Sequence, residues 1–289
     1  MEINLSPIIA GTMNWGAWQA NFTTAQMEEL VRSCIEFGIT TFDHADIYGG
    51  YTTEGEFGKA FAQSGIKRET IQLISKCGIQ HVLGNRKNRI KHYNYSKDYI
   101  IQSAEDSLKN LQTDYLDILL LHRPSPLMQA DEIAEAFSKL KKDGKVRAFG
   151  VSNFTPFQTE LIRSKTEILY NQIEFSATQY QPMLDGSLDY MQIHSIKPMA
   201  WSPLGTVFKQ NTGQTQRLKK LMLDLVAKYH VTADIILFAW ILKHPAGIIP
   251  VAGSTNTYRL KNLMAATTLQ LEQEDWFAIW TESMGDKVP

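Results

Sequence analysis

"PIIAGTMNWG", residues 7–16, is the stretch on which the fold turns. Its first part, residues 7–13, is a short apolar run of strand length. A doubly wound α/β sheet normally follows such a first strand with a turn of the form G-x-G-x-x-G, whose glycines let the backbone approach a pyrophosphate. The residues "AGTMNWG" do not fit that form. The other architecture built from repeated strand–helix units is the closed barrel, and it needs seven more strands.

Apolar runs follow at residues 39–45, 70–76, 115–122, 146–151, 168–175, 197–201 and 248–251. Runs without polar alternation suit parallel strands covered on both faces. Helix-period segments separate them. Thr24 opens a helix with Met27, Leu30, Val31 and Cys34 three and four apart, closed by Gly38. A second lies around residues 57–61. A third, capped by Ser96, carries Ile100, Ala104, Leu108 and Leu111 on one face. Ile133, Phe137 and Leu140 mark a fourth, which stops at Gly144. Further helical segments begin near residue 155 and cover about 184–194, 216–229, 233–243, 258–266 and 272–284. The pattern predicts one (β/α)8 TIM barrel across residues 1–289, with extra C-terminal helices.

Composition fits an ordinary globular protein: 289 residues, 44% hydrophobic and 20% charged. A net charge of −1 gives no basic field for nucleic acid or an anionic membrane. The N-terminal segment lacks the charged start and continuous apolar core of a signal peptide. The most apolar long stretch, residues 235–253, is broken by Lys243, His244 and Pro245, so no membrane span is expected. Cys34 and Cys77 form no disulfide or metal pattern and read as core thiols of a cytoplasmic protein. A monomer or weak homo-oligomer is expected.

In a barrel of this kind the active site forms at the C-terminal ends of the strands. Asp43 and Tyr48 follow the second run, Lys76 ends the third and His122 ends the fourth. Singly, each has a plain reading: a turn cap, a rim lysine, a core histidine. Together, on three consecutive strands, they suggest chemistry. Free tyrosine is a weak acid with a pKa near ~10. A lysine ammonium beside it is expected to lower that value, and a carboxylate such as Asp43 to hold the lysine charged. The phenol then gives a proton to an oxygen becoming an alkoxide, while His122 donates a hydrogen bond to the same oxygen. A phenol beside a cation, with no metal-ligand cluster, suits carbonyl reduction, and the hydride must then come from a cofactor. Ser152, Asn153 and Gln172 offer groups for a carboxamide, and Trp201 a flat face for stacking. The small polar segments "SPLG" and "AGSTNTYRL" suit phosphate binding before helices.

These residues resemble the aldo-keto reductase family across essentially the whole chain, and most closely a bacterial subgroup of NADPH-dependent oxidoreductases. "FDHADIYG", "ISK" and "LLLHRP" are similar to the family's catalytic segments, which implies a tetrad of Asp43, Tyr48, Lys76 and His122. "GVSNF", "NQIEFS" and "WSPLG" resemble its nicotinamide and pyrophosphate contacts, implying roles for Ser152, Asn153, Gln172, Trp201, Ser202, Pro203 and Leu204. "GSTNTYRL" resembles its adenosine-phosphate segment, implying Gly253, Ser254, Arg259 and Asn262 as contacts. Gly11, Thr12 and Met13 fall at the cofactor end of the first strand. The resemblance implies NADP(H) and reduction of an aldehyde or ketone. Three positions depart from the common pattern: Met13 replaces a tryptophan, Gly253 a lysine and Asn262 a glutamate.

Two other readings stand beside this one: a cofactor-sensing subunit of the same fold that partners membrane channels, and a Schiff-base lyase with Lys76 as nucleophile. The insertion at 77–95, with His81, Arg86, Lys87, Arg89, Lys91 and His92, is expected to be a solvated loop. Its alternative role is to meet an anionic substrate.

Overall fold

The structure is a computed structural model that describes residues 3–83 and 86–288. The first two residues of the N-terminal segment and positions 84 and 85 of the insertion lie outside it. In chain order the strands are β1 (Ile9–Gly11), β2 (Thr41–Asp43), β3 (Gln72–Cys77), β4 (Ile79–Gln80), β5 (His92–Tyr93), β6 (Leu116–Leu121), β7 (Val146–Ser152), β8 (Tyr170–Glu174), β9 (Lys197–Trp201) and β10 (Ile249–Ala252). All but β4 and β5 are parallel and close into a barrel in the order β1-β10-β9-β8-β7-β6-β3-β2. Closure joins the two ends of the sequence: Ala10 lies opposite Ala252 on one side and Phe42 on the other.

The outer layer comprises α1 (Thr24–Glu36), α2 (Thr53–Ser64), α3 (Lys97–Leu111), α4 (Ala130–Lys142), α5 (Pro156–Arg163), α6 (Ser187–Ile193), α7 (Gly213–Tyr229), α8 (Ala233–Leu242), α9 (Thr257–Leu263) and α10 (Gln273–Met284). Most turn an apolar stripe inward, as α1 does in burying Met27, Leu30, Val31 and Cys34; Thr23 caps α1 by accepting the Gln26 N–H, and α10 packs on α7. α8 is apolar all round and is buried over seven consecutive residues, Ile235 to Ile241. No single described helix is long and apolar enough to cross a membrane.

Side chains along a strand alternate between faces, so inward positions recur every second residue. Ile9, Ile74, Ile118, Leu120, Ala148, Tyr170, Met199 and Val251 pack together as one buried cluster that plugs the barrel. The outward positions, such as Phe42, Leu73, Leu119 and Leu121, join the larger core under the helices. Counting two residues past the plug toward the C-terminal mouth turns Ile74 into Lys76, Leu120 into His122, Tyr170 into Gln172 and Met199 into Trp201. Asp43 lies opposite Ile74, with the same inward parity. A period of two thus delivers the polar residues in one layer on top of an apolar plug.

Two local expectations need correction. The insertion is only partly a solvated loop. Its base is a ribbon in which β4 pairs antiparallel with β5, Ile79 opposite Tyr93. Ile79 and Gln80 are buried, and the Tyr51 hydroxyl ties the ribbon down by donating to the Ile79 carbonyl and accepting the His81 N–H. Ser96 stands at the cap position of α3 but its hydroxyl makes no capping bond. Glu132 of α4 accepts the Lys97 N–H instead, at 2.9 Å, so a long-range carboxylate does the work of the local cap.

Candidate active site

Lys76 is fully buried at the end of β3. Its ammonium donates to both Asp43 oxygens at 2.7 and 2.8 Å, to the His44 carbonyl at 2.8 Å and to the Tyr48 phenol oxygen at 3.1 Å. Burial alone pushes a lysine pKa down, but Asp43 and Tyr48 hold this one above its ordinary value. It stays charged. The Schiff-base reading needs a neutral amine and has no support in this arrangement.

Tyr48 requires a correction. Lys76 does pull its pKa down, as expected, but burial of the phenol is the larger effect and the net direction is upward. The phenol therefore keeps its proton through neutral pH. Because its oxygen accepts the Lys76 hydrogen bond, its own O–H remains to be donated elsewhere. Across the mouth, the His122 ring meets the Tyr48 ring edge-on with centroids 6.1 Å apart. His122 is held well below its ordinary pKa by burial and by the charges of Lys76, Arg123 and Lys91. It is a neutral imidazole, and its buried Nδ1 has no hydrogen-bond partner.

The remaining candidates fall into two sets around this centre. Gln172 is buried and donates its amide to Asp43 Oδ1 at 2.9 Å. The Ser152 hydroxyl donates to the Gln172 carbonyl at 3.0 Å and accepts the Asn153 amide at 3.0 Å. The Asn153 oxygen in turn accepts the Trp201 indole N–H at 3.0 Å. Asn153 and Ser202 adopt left-handed backbone, φ 57° and 51°, at the two strand ends that flank this chain of contacts. Such conformations cost energy in non-glycine residues and persist where the surroundings enforce them. Ser202 and Leu204 are half-buried and Pro203 buried behind Trp201.

Gly11 is packed so closely that a Cβ would lie 3.0 Å from Val251. Thr12 is fully buried and its polar atoms are spent internally: its hydroxyl donates to the Asp43 carbonyl at 3.0 Å and lies 2.9 Å from His44 Nδ1. It braces β1 to β2 and presents no side-chain group to the mouth. Met13 is exposed. At the far rim the Gly253 carbonyl accepts from Asn14, Ser254 accepts the Asn256 N–H, and Asn256 accepts the Arg259 N–H. Two of the backbone N–H groups at this helix start, those of Asn256 and Arg259, are thus already taken. The Arg259 side chain is exposed with no ion-pair partner among the described residues, and Asn262 is half-buried on α9.

Two residues of the mouth escaped the sequence reading as site residues. Trp18 is exposed with its ring 6.0 Å from that of Tyr48. Arg123 lies 5.4 Å over the Trp201 ring. The signal for Arg123 was its place directly after His122 at a strand end; Trp18 sits in a loop without periodicity, and nothing marked it.

Comparison with known proteins agrees with this geometry. Residues 7–281 match the model of the aldo/keto reductase family. The chain is 44% identical over 294 residues to the Bacillus subtilis uncharacterized oxidoreductase YcsN, covering 100% of this chain and 97% of that one. It is 36% identical to a 6-dehydroglucose reductase of Agrobacterium fabrum, covering 99% and 97%. An aldo/keto reductase from Klebsiella pneumoniae, solved in complex with NADP and acetate, superposes with a TM-score of 0.80 at 26% identity, covering 95% and 90%. An eight-stranded barrel with this mouth, matched over nearly its whole length, places the chain in the aldo/keto reductase family.

Proposed function

We propose that the chain reduces aldehydes or ketones to alcohols with NADPH, Tyr48 giving the proton. One observation carries this reading: the Lys76 ammonium, locked by Asp43, donates to the phenol oxygen and leaves the phenol proton free. As a carbonyl becomes an alkoxide it takes that proton, and the phenolate left behind is stabilised by the ammonium 3.1 Å away. Neutral His122 donates to the same oxygen and fixes its position. The residues present suit a nicotinamide cofactor. Gln172, Ser152 and Asn153 form a chain of amide and hydroxyl groups beside Asp43, Trp201 offers a flat face held by Asn153, and Arg259 presents an unpaired guanidinium for a phosphate. When bound, that cofactor supplies the hydride.

A panel of aldehydes and ketones, including a polyhydroxylated aldehyde in view of the Agrobacterium relative's name, tests the reading with NADPH and NADH. Loss of nicotinamide absorbance with at least one carbonyl is expected. Complete inactivity across the panel with cofactor demonstrably bound would overturn it.

A further inference from the structure

Arg123 is a cation at the mouth that the mechanism above does not use. It follows His122 directly, and its peptide is fixed at both ends by one side chain. The Tyr95 hydroxyl accepts the Arg123 N–H at 3.0 Å and donates to the Arg123 carbonyl at 2.5 Å. Tyr95 in turn lies where Gly78 (φ 115°) leaves room; a Cβ there would sit 2.1 Å from the Tyr95 ring. The side chain then lies over Trp201, 5.4 Å from the ring. Among the described residues the guanidinium makes no hydrogen bond and no ion pair. Glu174 is the carboxylate that senses its charge, yet it does not approach to salt-bridge distance. The field of Arg123 reaches both Tyr48 and His122, and Lys91 from the basic insertion reaches His122 as well.

A half-buried guanidinium whose donors are free among the described residues, carried on a peptide fixed by Tyr95, can grip an anion through two parallel bonds. Asp43 already neutralises Lys76, so the mouth cation without an ion pair among the described residues is Arg123, with Lys91 of the insertion near enough for its charge to act on His122. We propose that Arg123 is a specificity-determining residue that takes a carboxylate or phosphate carried by the carbonyl substrate, with Lys91 adding to the attracting field. This rests on the reductase reading and names the substrate class within it. The exposed Trp18, its ring 6.0 Å from that of Tyr48, provides an apolar wall for the rest of such a substrate.

The test compares matched substrates that differ in charge. The pairs are 4-oxobutanoate against its methyl ester, and glyceraldehyde 3-phosphate against glyceraldehyde; together they separate carboxylate from phosphate. Wild type is expected to show a higher kcat/KM for the charged member of at least one pair. Arg123→Met should lower that kcat/KM by about 10- to 150-fold, mainly through KM, as for loss of one charge-assisted contact. The neutral partner should change less than about threefold, and Arg123→Lys should restore part of the loss. Calorimetric binding of the anions to the NADP-loaded protein gives a readout that needs no turnover. Tighter binding of the charged member without reduction of either would strike the reductase reading and leave anion recognition standing. A neutral member preferred in both pairs overturns the proposal. So does an equal loss for charged and neutral substrates in Arg123→Met, or a loss confined to NADPH affinity, which would make the arginine a cofactor contact.

Discussion

The pair Lys76–Tyr48 shows how one buried cation serves two opposing needs. Burial makes phenolate costly, so the tyrosine holds its proton; in the proposed reaction the ammonium stabilises that phenolate as the proton leaves. Tyr48→Phe removes the proton and little else, so reduction should fall by about 10² to 10⁴ while fold and cofactor affinity persist. Steady-state rates beside cofactor titrations check this, and near-wild-type turnover would sink the assignment. Lys76→Met is a poorer probe. It leaves Asp43, 2% exposed, as a buried carboxylate without its partner, a kind of loss that typically costs about 3–5 kcal/mol. The directions of the two shifts also fix a pH profile. Tyr48 titrates above 10.0 and His122 below 6.5, so neither changes state between those values, and the reductive rate should be level from pH 6.5 until the neighbouring Asp46 ionises at about 8. That these groups meet at one mouth was legible in the sequence because strand ends concentrate polar residues. The net direction of the Tyr48 shift was not, because the lysine is visible in the sequence and the burial that outweighs it is not.

At the level of elements, the barrel was legible for a physical reason. Strands covered on both faces, such as β6 with all six residues buried, leave continuous apolar runs, and the helices between them carry a different period. The β4–β5 ribbon escaped because its strands are two residues each, too short to show alternation. The Ser96 cap was misread because its substitute, Glu132, is remote in sequence. The segment between β10 and α9 carries a prediction of its own. Asn256 and Ser254 spend their polar atoms shaping the turn, which leaves the exposed Arg259 guanidinium as the group free to meet the 2′-phosphate. Gly253 contributes no cation there. NADPH should bind more tightly than NADH, toward the lower end of about 10- to 150-fold. Arg259→Ala should erase most of that difference while changing NADH affinity little. Dissociation constants for both cofactors in both proteins decide it, and equal weakening of NADPH and NADH would show that the arginine acts on something other than the extra phosphate.

Over the whole molecule, the mouth is supported by ionisable groups that folding buries, and these tie its chemistry to stability. His44 is fully buried, its Nδ1 against Thr12 and its Nε2 without a partner, and burial with the charge of Lys76 pushes its pKa down to about 3. The unfolded chain takes up a proton near 6.5 that the folded one refuses, so His44 contributes stability above pH 6.5 that is lost as pH falls toward 3. Asp46, between Asp43 and Tyr48 in sequence, works in the opposite direction. Burial, with the neighbouring Glu54 adding to it, pushes its carboxyl up to about 8, although Ser103 donates to it. The unfolded chain releases that proton near 3.8 while the folded chain retains it. Stability from this group is full below 3.8 and is lost progressively as pH rises to about 8. Asn at this position keeps the shape and has no proton to lose. Asp46→Asn should therefore match wild type most closely in mild acid and gain on it as pH rises. Each kcal/mol recovered is worth about 2–4 °C in Tm for a chain somewhat smaller than this one. The acid limb set by His44 should be unchanged in the variant. Thermal melts followed by circular dichroism from pH 4 to 9 test this: a Tm difference that widens toward pH 8 and then levels supports a buried, protonated Asp46. A constant offset across the range would mean that Asp46 is ionised in the folded protein, with Arg86 close enough to compensate it.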